Sequence, residues 1–234
     1  MRRIISFAMA LLAVCACNFI TVDGKSLDEL LSSKGKTRFI ASKTIIEKTY
    51  DVDRFDRIDC AGSFDIDYTA GQHYLSISAP DNVMEYIIVE VKDGCLEVKM
   101  DKTLKVINLQ KIQLTVHSPK LNGVSISGAG DFKAEDGIRA DDLNVKISGA
   151  GDFEANGIKA GNLSIRISGA GDVDADNIDC KEVSAWISGA GDIELSGKTK
   201  TADIRISGAG DIDIRDLKAD NTDTRISGAG KVYR

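Results

Sequence analysis

The stretch Ile147-Ser148-Gly149-Ala150-Gly151-Asp152-Phe153 decides how this chain folds, because it is one copy of a repeated motif. Ile-Ser-Gly-Ala-Gly begins at Ile126, Ile147, Ile167, Ile187, Ile206 and Ile226, in steps of 21, 20, 20, 19 and 20 residues. The first five copies continue with an aspartate (Asp131, Asp152, Asp172, Asp192, Asp211) and the last with Lys231. A fixed period of about 20 marks a stacked-repeat architecture, in which one unit cannot bury its apolar side alone.

Apolar residues alternate on both sides of the motif. Before it come Leu143, Val145, Ile147; Leu163, Ile165, Ile167; Val183, Ala185, Ile187; and Ala202, Ile204, Ile206. After it come Phe153 and Ala155, Val173 and Ala175, Ile193 and Leu195, Ile212 and Ile214. Period two means β-strands with every second side chain facing a core. Two such strands leave no room in the unit for a crossover helix. The predicted fold is all-β: a right-handed, single-stranded parallel β-helix (a solenoid) of about 20-residue coils, with a strand-rich N-terminal part packed on the first coils. Each inward side chain then has a like neighbour about 4.8 Å above and below it.

The Gly-Ala-Gly segment is the corner of each coil. Its two glycines are expected to take positive φ where a side chain would clash with the next coil. The preceding Ser and following Asp can hydrogen-bond turn amides. Ser-Gly-Ala-Gly-Asp also resembles the Gly-Gly-x-Gly-x-Asp of calcium-binding β-rolls. Calcium is therefore the one cofactor the motif suggests, with Asp152, Asp172, Asp192 and Asp211 as ligands. Those β-rolls are nonapeptide repeats with a turn on each side, whereas this chain has one such turn per coil.

Outward from the repeats, the 234 residues are 28% charged and 43% hydrophobic, enough for one good core. A net charge of −6 gives no reason to expect nucleic acid as a partner. Met1-Arg2-Arg3 and the apolar run Ile4 to Val14 read as a signal peptide over residues 1–16, too short to span a bilayer as a helix. Val14-Cys15-Ala16-Cys17 resembles a bacterial lipobox, which makes Cys17 the candidate for lipidation; an ordinary signal peptidase would also cut after Ala16. The chain is thus expected to be exported to the cell envelope, either periplasmic or held at the outer membrane by a lipid anchor rather than a transmembrane helix. Residues 17–43 read as a tether, 44–120 as the strand-rich N-terminal part and 121–234 as the clean repeat coils.

Within the N-terminal part, Ile58-Asp59-Cys60-Ala61-Gly62-Ser63-Phe64-Asp65-Ile66 aligns without a gap on Ile147 through Ala155 and reads as a degenerate seventh copy. Strands are expected at Tyr74–Ile77, Ile87–Val91, Leu96–Met100 and Ile112–Val116, with a hairpin turn at Lys92-Asp93-Gly94-Cys95. Phe55-Asp56-Arg57-Ile58, the Gly-x-Phe-Asp-Ile core, Ala79-Pro80-Asp81-Asn82 and the Val-x-Asp-Gly-x-Leu of Val91 to Leu96 precede the Ser-Gly-Ala-Gly-Asp repeats. That order resembles the family called "putative auto-transporter adhesin, head GIN domain", over about residues 45 to 230. The resemblance implies a β-helical cell-envelope protein with an adhesive or binding role, and brings no catalytic residues.

Counting from each corner gives the outward columns. Two residues before the Ser lie Ser125, Lys146, Arg166, Trp186, Arg205 and Arg225, and two after the Asp lie Lys133, Glu154, Asp174, Glu194, Asp213 and Tyr233. Stacked like charges repel by roughly 1 kcal/mol per pair even in water, so counter-charges, ions or a partner are expected to relieve them. Trp186 is expected between Arg166 and Arg205, in cation–π contact. The strip Lys146, Arg166, Trp186, Arg205, Arg225 is the candidate binding site for a glycan or a surface protein; solvated charge, with the Trp separating two arginines, is the plainer reading.

Carboxylates recur in every coil, whereas a polysaccharide lyase or hydrolase needs one singular cluster. No Gly-x-Ser-x-Gly, zinc spacing or phosphate loop is present. His73 and His117 are expected at the surface. Cys60, Cys95 and Cys180 allow at most one disulfide, and Cys180 is expected as a half-buried free thiol. The C-terminal coil, with Thr222, Thr224, Ile226 and Val232, is expected to be a self-association surface that would make a homo-oligomer. The sequence is thus read as a non-catalytic cell-surface adhesin, with a structural self-assembling envelope component as the alternative and a lyase- or hydrolase-like enzyme as the less favoured one.

Overall fold

The computed structural model describes residues 37–101, 104–109 and 111–234. The signal segment 1–16, Cys17 and most of the expected tether lie outside these residues. The chain enters the fold earlier than the 17–43 boundary implies, because Thr37–Ile40 is a strand running parallel to Leu104–Ile107.

The solenoid forms as the alternation demands. On its first face Asp142–Ile147, Asn162–Ile167 and Glu182–Ile187 stack parallel and in register, followed by the later part of Ile193–Ile206 and then Leu217–Ile226. Inward positions make continuous apolar columns: Val124, Val145, Ile165, Ala185 and Ile204 form one, and Ile126, Ile147, Ile167, Ile187 and Ile206 the next. On the second face Phe132, Phe153, Val173, Ile193 and Ile212 stack likewise. All of these are buried. Each coil also has a third short strand, such as Ile138–Arg139 on Ile158–Lys159, where the sequence reading expects two.

The corner glycines have a different cause from the one expected. None in the Ser-Gly-Ala-Gly copies has positive φ. Close approach requires them: a Cβ on Gly169 would lie 1.8 Å from the carbonyl oxygen of Gly149, which already accepts the Ala170 N–H at 2.9 Å. The amide ladder therefore runs through the corner as well as along the strands, leaving no room for a side chain between coils.

The degenerate copy exists, but two residues from its expected register. Cys60, not Ile58, pairs with Ile126, and Ile66 pairs with Phe132. A two-residue slip keeps every side chain on its face, so alternation is blind to it; the corner decides it, with Gly62 under Gly128 and Phe64 under Gly130. Chain order and spatial order also part here. Cys95–Met100 and Ile112–Ser118 lie on the far side of Arg57–Ala61 and Phe64–Ala70, so the coil at 57–70 sits between a later segment and the repeats.

Antiparallel strands complete that end. Tyr74–Pro80 pairs with both Ile112–Ser118 and Ile45–Tyr50, and Ile87–Lys92 forms the expected hairpin with Cys95–Met100. Asp93 (φ 50) and Gly94 (φ 73) supply the two positive φ values of a type I′ turn. The buried Tyr68 hydroxyl donates to the Ser118 carbonyl at 3.0 Å. The N-terminal part and the repeats thus share one core. Among the described residues no helix is long and apolar enough to cross a membrane.

Candidate functional site

Because strand register is in phase from coil to coil, outward residues line up as columns. Ser125, Lys146, Arg166, Trp186, Arg205 and Arg225 are successive rungs of one column on the first face. The same column runs on through Asp59 and Glu97, so its charge changes sign along the solenoid.

Counter-charges relieve part of the basic run. Arg205 makes a two-pronged bond to Asp203 (Nε–Oδ1 3.0 Å, Nη2–Oδ2 2.6 Å), and Arg225 reaches Asp223 at 2.6 Å. Both acids sit two residues earlier on the same strand and face, a spacing legible in Asp203-Ile204-Arg205 and Asp223-Thr224-Arg225 but overlooked in the sequence reading. Among the described residues Arg166 donates to the Ser164 hydroxyl alone, at 3.0 Å. Lys146 meets no counter-ion among the described residues.

Trp186 is 44% exposed and its indole Nε1 donates to the Ser207 hydroxyl at 3.3 Å. The expected cation–π contact with the flanking arginines is absent. Cation–π contacts among the described residues join Lys48 to Tyr50 and Arg215 to Tyr233. The bidentate carboxylate at Asp203 is a stronger partner for a guanidinium than a ring face, so Arg205 pairs with Asp203 and the indole stays exposed.

The aspartate column has a structural task. Oδ1 of Asp131, Asp152, Asp172 and Asp192 accepts the backbone N–H of the next aspartate in the series, at 3.2, 2.9, 2.8 and 2.7 Å, and Asp211 accepts that of Lys231 at 2.7 Å. Asp65 begins the series by accepting the Asp131 N–H at 3.2 Å, a member hidden by the register slip. Among the described residues no three of His, Cys, Asp and Glu gather as metal ligands. Asp172→Asn keeps an acceptor oxygen and is expected within about 0.5–1 kcal/mol of the parent, whereas Asp172→Ala loses about 1–2 kcal/mol in urea denaturation. A thermal midpoint raised by calcium in the parent and unmoved in Asp172→Asn would instead make the column a metal ladder.

On the second face the column Lys133, Glu154, Asp174, Glu194, Asp213, Tyr233 is acidic in its middle. Lys133 pairs with Glu154 at 3.0 Å and Arg215 with Asp213 at 2.5 Å. Partial burial, with Asp176 and Glu154 nearby, holds the Asp174 carboxyl above the usual range.

The remaining reactive groups are structural in their surroundings. Cys60, Cys95 and Cys180 are free thiols, and burial pushes all three upward, which keeps them protonated and poor nucleophiles at neutral pH. Cys180 is buried rather than half-buried, since its N–H continues the ladder to Lys198. The histidines are half-buried instead of superficial: His73 packs on Phe55 at 5.0 Å, and His117 on Tyr74 at 5.2 Å.

The family described as "Putative auto-transporter adhesin, head GIN domain" matches residues 54–175 and 154–233. Among solved structures, a "putative adhesin" from Bacteroides fragilis is 30% identical, with a TM-score of 0.68 over 83% of this chain and 99% of its own. A "putative lipid binding protein" from Parabacteroides distasonis is 19% identical, with a TM-score of 0.73 over 84% of this chain and 99% of its own. A "putative adhesin" from the same organism is also 19% identical, with a TM-score of 0.56 over the same shares. The last two bear on the fold alone. No curated protein matches the chain.

Proposed function

The chain belongs to the "putative auto-transporter adhesin, head GIN domain" family, and from that premise we propose that it is an exported, non-catalytic adhesin of the cell envelope that binds a glycan on the first face of its solenoid. The observation that carries this reading is the indole of Trp186, 44% exposed between Arg166 and Arg205 in the stacked column. A flat aromatic surface flanked by donors suits a sugar ring, whose C–H face stacks while its hydroxyls and acidic substituents take hydrogen bonds. Among the described residues Arg166 and Lys146 meet no carboxylate, which leaves them to meet an acidic sugar. A lipid on Cys17 would tether this head to the membrane, and assembly through the C-terminal coil, where Ile226 is 48% exposed, would multiply the strip by avidity.

The test is a glycan array probed with the parent protein, Trp186→Ala and Arg166→Ala. Loss of one stacking contact is expected to weaken the best-bound acidic glycan by about tenfold, with Arg166→Ala weakening it further in low salt. Binding unchanged by Trp186→Ala would remove the first face from the function. An ordered polymer with no glycan signal would favour a structural envelope component instead.

A further inference from the structure

A second cationic column lies on the third face, where the sequence reading places no strand. Arg139 pairs with Lys159, Lys159 with Asp179, Asp179 with Lys198, and Lys198 with Lys218, each rung one coil further along. Their inward neighbours Ile138, Ile158, Ile178 and Leu217 are buried, so period two points these five side chains to solvent. Lys198 reaches Asp179 at 3.2 Å. Arg139, Lys159 and Lys218 meet no counter-ion among the described residues, in contrast to Arg205 and Arg225 on the first face.

The column is also concave at both ends. Arg139 and Lys159 border a depression of about 630 Å³ with Gln72, Pro119 and Asp136. Lys198 and Lys218 border one of about 660 Å³ with Lys200 and the two acids Asp179 and Asp220. Folding does not ask for like charges at a spacing of about 4.8 Å, where each stacked pair costs roughly 1 kcal/mol in water. The cost is recovered by a ligand carrying negative charge at a similar interval along a line. We propose that the third face binds a linear anionic polysaccharide lying along the solenoid axis, with Arg139 and Lys159 meeting one pair of carboxylates and Lys198 and Lys218 another, on either side of the Asp179 rung. An overall net charge of −6 opposes loose binding of any polyanion, so contact is confined to this strip and weakens steeply with salt.

This site stands apart from Trp186, and the two readings fail separately. The probe is polygalacturonate, titrated into the purified protein at low and physiological ionic strength, with neutral dextran and duplex DNA as comparisons. Lys159→Gln with Lys218→Gln is expected to weaken polygalacturonate by about tenfold and to flatten its salt dependence. Trp186→Ala, and Lys133→Gln on the second face, should leave it unchanged. All these side chains are exposed, and circular dichroism of each variant checks that it folds. The proposal is overturned by no binding of polygalacturonate at low salt, by equal binding of dextran, by tighter binding of DNA, or by a Lys133→Gln effect as large as that of the double variant.

Discussion

Replacing Gly169 by Ala is expected to destabilise the solenoid strongly. The added methyl carbon would lie 1.8 Å from the oxygen and 2.8 Å from the carbon of the Gly149 carbonyl. That carbonyl cannot swing aside, because it accepts the Ala170 N–H at 2.9 Å and belongs to a corner pinned by strands on both faces. Separating the two coils would break ladder bonds along every face at once. The cost should exceed about 4 kcal/mol, a large part of the roughly 5–15 kcal/mol that holds a domain folded. Gly157→Ala is the control. There the nearest atom to an added Cβ is 3.7 Å away, but φ is +94°, so only backbone strain of about 1–2 kcal/mol is expected. Urea denaturation followed by circular dichroism measures both. Equal losses would mean that the corner relaxes and that spacing is not what selects glycine there.

Phe153→Ala should cost about 3–5 kcal/mol in the same measurement. Phe153 is fully buried and its ring lies on that of Phe132, centroids 5.0 Å apart and planes within 4°. Tyr68 extends the stack, 5.9 Å from Phe132. In a stacked repeat, stability is approximately a sum over coils and the interfaces between neighbours. A ring in the middle of a column contributes to two interfaces, and its removal leaves a cavity that the rigid ladders on either side cannot close. Val173→Ala, one coil further along the same column, removes fewer carbon atoms and should cost about 1–3 kcal/mol. A Phe153→Ala loss no larger than that would show that neighbouring side chains refill the space.

The two proposed surfaces divide the charges of the molecule by face. Glu154, Asp174 and Glu194 make the second face acidic, while the first and third present cations. A polymer that meets a basic face is thereby held in one orientation, since turning it toward the second face brings like charges together. An unequal distribution on a net acidic chain is a statement about partners and association rate rather than about the fold.

What the sequence determined by itself was the solenoid, its period and its columns. The recurring Ile-Ser-Gly-Ala-Gly fixes the step from coil to coil, and the alternation around it fixes the faces, because a slip of one residue would turn Leu163, Ile165 and Ile167 toward water. The rungs Lys146, Arg166, Trp186, Arg205 and Arg225 follow from counting alone, and the register bears out each step. Tertiary structure decided what alternation cannot encode. A slip of two residues preserves faces, so only the packing of Gly62 beneath Gly128 set the first coil and brought Asp65 into the aspartate column. Strand pairing between distant segments placed Cys95–Met100 outside Arg57–Ala61. The third face stayed hidden because its strands are as short as Ile138–Arg139, too brief for a period to register. Competition between partners settled the guanidiniums: Arg205 takes the carboxylate of Asp203 over the ring of Trp186, since a paired charge in a fixed fork outweighs a cation over an exposed ring.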